Sequence, residues 1–205
     1  MSDLNKKEHW ETIYKTKDLK NVSWYQDTPK VSLDFITYFH LPKTAKIIDV
    51  GGGDSLLVDH LLDLGYEDIT VLDISEAAIA KAKKRLGRRA EKVKWINANI
   101  AHFVPDEKYD LWHDRATFHF LTDKNEINHY KNAIREGIAP GAALVIGTFS
   151  ESGPEKCSGI PITRYSKESL NEQFKDHFKK VKCTYTDHKT PFNTTQNFIF
   201  CGFKK

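Results

Sequence analysis

The sequence predicts an α/β fold in which helices cover both faces of a mostly parallel, seven-stranded β-sheet. Two observations carry this prediction. Apolar runs alternate with amphipathic segments along most of the chain, which is typical of successive β–α units. The last two apolar segments, 178–188 and 194–203, instead follow each other directly across "KTPFN", which indicates a C-terminal antiparallel β-hairpin.

The strands are predicted from short apolar runs bounded by turn residues. "KIIDV" is the first, and the long run "AALVIGTF" after the "APG" turn is the fifth. In chain order, the five strands before the hairpin are predicted at 46–50, 68–74, 92–97, 108–114 and 142–149.

The helices are predicted from apolar residues at helical spacing and from capping residues at their ends. Ser75 is a candidate N-cap for a helix that ends before Gly87, and Ser166 begins a short one. The remaining helices are predicted at 5–16, 29–39, 56–64 and from Thr122 or Asp123 to Glu136, and 150–161 is predicted as a loop.

Length and composition limit the classes of function that the chain can have. The 205 residues, 40% of them hydrophobic, suffice for one core, so we expect one domain over 1–205. The net charge of +3 is too small to indicate a nucleic-acid or membrane partner, and the basic segment 81–94 is interpreted as a solvated helix face. No secretory signal or apolar run long enough to span a bilayer is evident.

The cysteines and histidines predict neither a disulfide framework nor a metal site. Cys157, Cys183 and Cys201 are odd in number and form no CxxC pair, which favours reduced thiols and a cytoplasmic location. Cys183 and Cys201 are expected to fill the core. The nine histidines are scattered, so no metal is expected.

The glycine-rich turn after the first strand predicts a nucleotide-like ligand. Gly51 and Gly53 fit the dinucleotide fingerprint G-x-G-x-x-G, but Leu56 stands where its third glycine belongs. The turn lacks a phosphate-binding lysine and contains Asp54, which suits a ligand with a cationic end. Asp73 follows Gly53 by twenty residues, at the end of the second strand, where a carboxylate can accept both ribose hydroxyls.

With these residues, the sequence resembles the class I S-adenosylmethionine-dependent methyltransferases. "IIDVGGGDS", "VLDIS", "NANI" and "YDLWHDRATFHFL" look like their first four motifs, in order and at the expected strand ends. Asn99 departs from the family, which usually has aspartate there. "DRAT" at 114–117 resembles the branch of thiopurine S-methyltransferases, of lysine methyltransferases acting on elongation factor or citrate synthase, and of a group of bacterial methyltransferases.

The resemblance implies a Rossmann-like core over 45–205, an N-terminal helical lid over 1–44, and methyl transfer from S-adenosylmethionine to a small molecule or a protein side chain. Asp114 is the predicted catalytic residue, as orienter or base for the acceptor; the competing interpretation is an ion pair with Arg115. The predicted cofactor-binding residues are Trp24, Tyr25, Asp49, Gly51, Gly52, Gly53, Asp73, Ile74, Asn99, Ile100 and Asp114.

Two alternatives stay open on the sequence alone. A catalytically silent S-adenosylmethionine-binding module is expected to have its acceptor space filled by Trp24, Phe118 and Phe149. An NAD(P)-dependent oxidoreductase is disfavoured, because it would need the third glycine and a hydride-site pair such as Tyr-x-x-x-Lys.

Overall fold

The computed structural model describes residues 3–205 and contains the predicted sheet. Seven strands lie in the order β3-β2-β1-β4-β5-β9-β8. β1 to β5 are parallel, whereas β9 pairs antiparallel with both β5 and β8. The strands are β1 Lys46–Val50, β2 Asp68–Asp73, β3 Val93–Asn97, β4 Tyr109–Arg115, β5 Ile138–Phe149, β8 Lys179–Lys189 and β9 Thr195–Lys204.

Within residues 3–205, six α-helices accompany the sheet, and three of them begin at predicted caps. The side chains of Ser75, Asp123 and Ser166 accept hydrogen bonds from backbone N–H groups in the first turns of α4, α5 and α6. The helices are α1 Asp3–Thr16, α2 Lys30–Tyr38, α3 Leu57–Asp63, α4 Glu76–Leu86, α5 Lys124–Gly137 and α6 Lys167–Phe174.

Each face of the sheet is buried under its own helices, as β4 illustrates. Leu111 packs into the core that contains Phe35 of α2, whereas the next residue, Trp112, packs into the core that contains Tyr130 of α5. The alternation of side chains along a strand therefore divides the apolar residues between two cores.

Two predicted boundaries in the chain around β5 are wrong. The strand begins at Ile138, not 142, because Ile138 pairs with Tyr109 before the register shifts towards the Leu111–Ala143 pair. The "APG" segment is thus part of an irregular strand, in which Gly141 takes a φ of +77°. The predicted loop 150–161 contains a two-stranded ribbon, β6 Lys156–Cys157 and β7 Ile160–Pro161.

The expectation of three reduced thiols is also wrong. Cys183 of β8 and Cys201 of β9 are directly paired in the hairpin and form a disulfide. The spacing in sequence gave no sign of this bond, because it depends on the register of two antiparallel strands. Cys157 is a buried free thiol.

None of the helices described in residues 3–205 is both long enough and apolar enough to cross a membrane.

Candidate active site

A cavity lies at the carboxyl ends of β1, β2 and β4, under the N-terminal helix α1. Ligands of open α/β sheets bind at this edge, where strand order reverses. Here the chain moves outward from β1 to β2 and β3 on one side and to β4 and β5 on the other. The polar residues that follow these strands meet around the cavity.

The turn after β1 is a tight cradle built on Gly51. Gly51 has a φ of +67°, and its N–H donates to the Leu72 carbonyl of β2. A Cβ on Gly51 would lie 1.7 Å from the Thr117 hydroxyl oxygen of the turn after β4. This turn therefore needs glycine both for its conformation and for the close approach of β4. Gly52 lines the cavity beside it.

Asp73 ends β2 as a buried carboxylate at the cavity wall. Burial raises its pKa to about 7, although the Ser75 and Gly53 N–H groups hold the ionised form. The Ser75 N–H donates to Oδ1 at 2.8 Å. A carboxylate in this setting suits a pair of hydroxyl donors such as a ribose diol, which would supply the hydrogen bonds that burial has removed.

The predicted base-binding residues line the same end of the cavity. Ile74, Asn99 and Ile100 all face it, together with Ala98. The Asn99 side chain accepts a hydrogen bond from the Ala101 N–H at 3.0 Å, so this amide also holds the turn after β3. The surface combines apolar walls with the Asn99 amide, which is the character of a small-molecule pocket.

Aromatic residues of the N-terminal region cover the cavity. Trp10 and Tyr14 of α1, Trp24 and Phe120 line it, and the Trp10 ring contacts the other three. Burial, followed by the charge of Asp73, raises the pKa of Tyr14 well above its usual range, so its hydroxyl stays protonated. Trp10 and Tyr14 lie in "HWETIY" of the predicted N-terminal lid but were not singled out as binding residues.

Two contacts fasten α1 over the site. The Glu11 carboxylate accepts hydrogen bonds from the Ser75 hydroxyl at 2.8 Å and the Ala77 N–H at 3.1 Å, at the start of α4. Lys6 forms an ion pair with Glu126 of α5. The cavity volume is about 120 Å³. Small-molecule sites usually have about 300–1,000 Å³, so the cavity is small with α1 in this position.

Two residues that were predicted to bind the cofactor, Tyr25 and Gly53, do not line the cavity. Tyr25 is not among the cavity-lining residues; its hydroxyl donates to Asp27 at 3.1 Å near the surface. Gly53 is not among the lining residues either; a Cβ there would approach the Tyr14 hydroxyl to 2.5 Å. Trp24 therefore covers the cavity and Tyr25 does not, because the chain turns here: the Tyr25 N–H donates to the Val22 carbonyl at 3.2 Å.

Asp114 is also turned away from the cavity. One carboxylate oxygen accepts from the N–H groups of Thr117 and Phe118, and the other accepts from the Tyr130 hydroxyl. Burial raises the pKa of Asp114 to about 6, while these three donors oppose the shift. Asp114 thus stabilises the turn after β4. Contrary to the prediction of a catalytic residue, it does not line the cavity, and it does not form the alternative ion pair with Arg115.

A buried polar chain crosses the cavity wall beneath α2. The His113 imidazole lies between Asp49 and Ser32, with Nδ1 2.7 Å from the Asp49 carboxylate and Nε2 2.9 Å from the Ser32 hydroxyl. All three side chains are almost fully buried and line the cavity. When Nδ1–H donates to the Asp49 carboxylate, Nε2 can accept from the Ser32 hydroxyl.

Arg115 ends β4 at the other end of the cavity from Asp73. Its Nη1 donates to the Trp24 carbonyl at 3.0 Å and its guanidinium lies 5.1 Å from the centre of the Phe198 ring. Nη2 is buried without a hydrogen-bond partner. Burial lowers the pKa of Arg115 to about 10, so it remains a cation at neutral pH. The sequence pointed to Arg115 only as part of "DRAT".

Among residues 3–205, no group of histidine, cysteine and carboxylate side chains is arranged to hold a metal ion. Cys157, brought to the cavity by the β6–β7 ribbon, is a buried thiol whose pKa is raised to about 12 by burial. It is therefore a neutral wall residue at physiological pH.

Comparisons with known proteins match the part of the chain that forms this site. A family model described as "Methyltransferase domain" matches residues 47–141, from β1 into the start of β5. The "eEF1A lysine and N-terminal methyltransferase" of Bos taurus is 28% identical over 121 residues, which are 58% of this chain and 17% of that protein. This chain therefore spans less than a fifth of that relative.

A second relative and a solved structure cover more of the fold. The "EEF1A lysine methyltransferase 2" of Danio rerio is 25% identical over 198 residues, 88% of this chain and 78% of that one. The structure of the N-methyltransferase NodS from Bradyrhizobium japonicum WM9, in complex with S-adenosyl-L-homocysteine, superposes with a TM-score of 0.73. That match covers 95% of this chain and 97% of NodS at 16% identity, so it reaches beyond residues 47–141.

Proposed function

Since this chain belongs to the class I S-adenosylmethionine-dependent methyltransferases, we propose that it transfers a methyl group from S-adenosylmethionine to a small-molecule or protein side-chain acceptor. The observation that best supports the proposal is that three features meet in one cavity. They are the Gly51 cradle, the buried Asp73 carboxylate and the aromatic cover of α1.

The residues present fit an adenosine that carries an amino acid. Asp73 offers its carboxylate to the ribose, while Ile74 and Ile100 flank the base and Asn99 offers an amide edge. The Gly51–Gly52 backbone can approach the methionyl part closely, because neither residue has a side chain. Trp10 and Trp24 present aromatic faces that favour a cationic sulfonium by about 1–2 kcal/mol.

When bound, the cofactor supplies an activated methyl group together with its own leaving group. The protein's work is then to orient the acceptor, exclude water and accept a proton if the acceptor nucleophile carries one. The closed aromatic cover excludes water. The Ser32–His113–Asp49 chain can take up the proton: the Ser32 oxygen receives it while the Ser32 proton passes to His113 Nε2, and Asp49 stabilises the resulting imidazolium.

A catalytically silent module is a weaker proposal. It would require the acceptor space to be filled by Trp24, Phe118 and Phe149. Phe118 and Phe149 are buried in the two cores and do not line the cavity. The acceptor end is instead walled by polar groups of Ser32, His113 and Arg115, which suits chemistry better than a filled space does.

Nucleic acid is not proposed as the acceptor, because much of the basic segment is neutralised within the fold. Arg85 pairs with Asp59, Arg89 with Asp63, and Lys94 with both Asp68 and Glu107. What remains is a helix face without stacking aromatics, since Trp95 is covered by Lys83.

Isothermal titration with S-adenosylmethionine, S-adenosylhomocysteine and NAD tests the proposal. We expect micromolar binding of the first two and none of NAD. In Asp73→Asn the affinity for both should fall about 100-fold, from the loss of charge-assisted hydrogen bonds. The control Asp68→Asn changes the carboxylate at the opposite end of β2, which pairs with Lys94, and should bind normally. NAD binding without a response to S-adenosylmethionine would support the oxidoreductase instead.

A tritium-transfer assay with methyl-labelled S-adenosylmethionine then tests catalysis. The acceptor panel consists of elongation factor 1A, named by the relatives, and small amines, thiols and carboxylic acids. Labelled product that depends on the protein supports the enzyme. Tight cofactor binding with no transfer to any class of acceptor would favour the silent module.

A further inference from the structure

A second groove lies on the far side of Arg115, between the start of α2 and the C-terminal hairpin. Gln26, Lys30 and Val31 form one wall, and His188 and Lys189 of β8 form part of the other. Arg115 lines both this groove and the main cavity. The guanidinium therefore stands at the junction between the proposed cofactor site and a separate opening to solvent.

Arg115 is held in place there without its charge being neutralised. Its Nη1 is fixed by the Trp24 carbonyl and its plane lies against Phe198, a residue that also lines the groove. In the part of the chain that the structure describes, no carboxylate forms an ion pair with it, and Nη2 is buried without a partner. A buried N–H of a cation left unmatched costs free energy, which a ligand acceptor atom would recover.

The other charged groups of the groove leave it positive. The Lys30 ammonium pairs with Asp34 at 2.7 Å, and the Asp187 carboxylate accepts from the Asn197 amide at 2.7 Å. His188 Nε2 lies 2.7 Å from the Ser23 carbonyl, and its pKa is lowered by burial and by the charge of Arg115, so it is neutral at pH 7. Lys189 is exposed at the rim. The Asn197 amide is neutral and does not cancel the charge of Asp187, so Arg115 and Lys189 face the groove as two cations against one anion.

From this arrangement we propose that the groove admits the methyl acceptor and that the acceptor is a small acid whose oxyanion, a carboxylate or a phosphate, binds Arg115. The inference rests on the proposed methyl transfer and names its substrate class. A volume of about 310 Å³ lies at the lower end of small-molecule sites, about 300–1,000 Å³. Arginine's planar fork matches both oxyanions in geometry as well as in charge.

The same arrangement disfavours a lysine side chain as acceptor. A cationic sulfonium on one side and the Arg115 cation on the other would repel an incoming ammonium and oppose its approach. An anion entering between them is attracted by both. The substrate class therefore differs from that named for the elongation-factor relatives.

A carboxylate at Arg115 could come from the cofactor's methionyl end or from the acceptor. We assign it to the acceptor, because Arg115 borders the groove that opens away from the Asp73 end. The two sources separate in a binding experiment. If the cofactor supplies the carboxylate, Arg115→Met weakens S-adenosylhomocysteine at least tenfold but leaves 5′-methylthioadenosine, which lacks the amino acid, unchanged.

The main experiment measures binding of small probes to the full chain saturated with S-adenosylhomocysteine. Benzoate and phenyl phosphate are the anionic probes, benzyl alcohol is the neutral one and benzylamine is the cationic one. We expect at least tenfold tighter binding of one or both anions than of benzyl alcohol, and the weakest binding for benzylamine. Equal binding of all four, or preference for benzylamine, overturns the proposal.

Variants locate the anion. Arg115→Met keeps the length of the side chain and should weaken anion binding at least tenfold, with S-adenosylhomocysteine affinity within threefold of the parent. Arg115→Lys should recover part of the loss. Arg135→Met, on the exposed face of α5, is the control. If Arg115→Met does not fold, Lys189→Glu at the exposed rim still tests the groove, with a threefold or greater loss expected for anions only.

The outcomes distinguish this inference from the proposed function. Failure of S-adenosylhomocysteine to bind the parent protein contradicts the proposed function. Normal S-adenosylhomocysteine binding with anion affinity unaffected by Arg115→Met and Lys189→Glu contradicts only the substrate class.

Discussion

The two ends of the cavity are built in different ways. The Asp73 end consists of short segments that follow β1, β2 and β3, each a contiguous motif at a strand end. The Arg115 end is assembled from residues that are distant in sequence: Trp24 before α2, Ser32 within it and Cys157 in the ribbon, with His188 of the hairpin in the adjoining groove. The first end serves the cofactor in our proposal, and the second serves the acceptor.

The difference shows what each kind of site demands of the chain. Successive strands of a parallel sheet bring their carboxyl ends together whatever the surrounding loops do, so the cofactor end is a property of the fold. The acceptor end depends on how α2, the ribbon and the hairpin pack around β4. It can therefore vary while the cofactor end stays the same, and substitutions should separate the two.

The largest effect is expected where the two ends touch. Gly51→Ala places a Cβ 1.7 Å from the Thr117 hydroxyl oxygen and should cost about 3 kcal/mol of unfolding free energy, from left-handed strain and overpacking together. Cofactor binding should become undetectable. Gly65→Ala is the matched control, because Gly65 also has a positive φ, of +84°, but nothing within 4 Å of the added Cβ. It should cost only about 1 kcal/mol in urea unfolding and bind normally.

The pH dependence of cofactor binding tests the charge of Asp73. With a pKa of about 7 for Asp73, ionisation rises from about 10% at pH 6 to about 90% at pH 8, so S-adenosylhomocysteine affinity should rise up to about ninefold. Asp73→Asn should flatten this profile in isothermal titration. An unchanged rise in the variant would assign the pH dependence to another group.

Asp73 also makes the unliganded fold less stable as pH rises. Its pKa is higher in the folded protein than in the unfolded chain, so the folded state holds the extra proton between about pH 4 and pH 7. Stability should fall across that window as the buried carboxylate ionises. Asp73→Asn should therefore raise the melting temperature at pH 8 but not at pH 4, and equal shifts at both values would contradict this account.

The proton-accepting chain should affect turnover and spare cofactor binding. His113→Gln is expected to lower kcat about 100-fold for an acceptor that carries a proton, with S-adenosylhomocysteine affinity within threefold of the parent. His129→Gln, on the exposed side of α5, is the control. An equal loss with an acceptor that has no proton to lose would show that His113 only supports the wall.

The smallest effect is expected at the lid. Glu11→Gln weakens the attachment of α1 to the start of α4 by removing the charge that accepts from Ser75 and Ala77. Removing charge assistance from these bonds should raise the S-adenosylhomocysteine dissociation rate about fivefold in stopped-flow measurements. Glu8→Gln changes an exposed residue of the same helix and should leave the dissociation rate unchanged. An unchanged rate in Glu11→Gln as well would contradict the role of α1 as a gate.

The sequence was informative where function follows local pattern and misleading where it follows packing. The succession of strands and helices along the chain, the caps at Ser75 and Ser166 and the position of Asp73 at the end of β2 were all predictable from neighbouring residues. The inward turn of Asp114 was not, because it depends on Tyr130 of α5. The Cys183–Cys201 bond likewise depends on hairpin register, and the Arg115 groove on the approach of α2 to β8.

The most direct test of this division is a crystal structure of the complex with S-adenosylhomocysteine. We predict the ribose hydroxyls on the Asp73 carboxylate, the base between Ile74 and Ile100, and the Arg115 Nη2 not bonded to the ligand. A ligand carboxylate on Arg115 would move the cofactor into the proposed acceptor end and contradict the substrate class. A ligand that makes no contact with Asp73 would contradict the central claim that the strand-end motifs form the cofactor site.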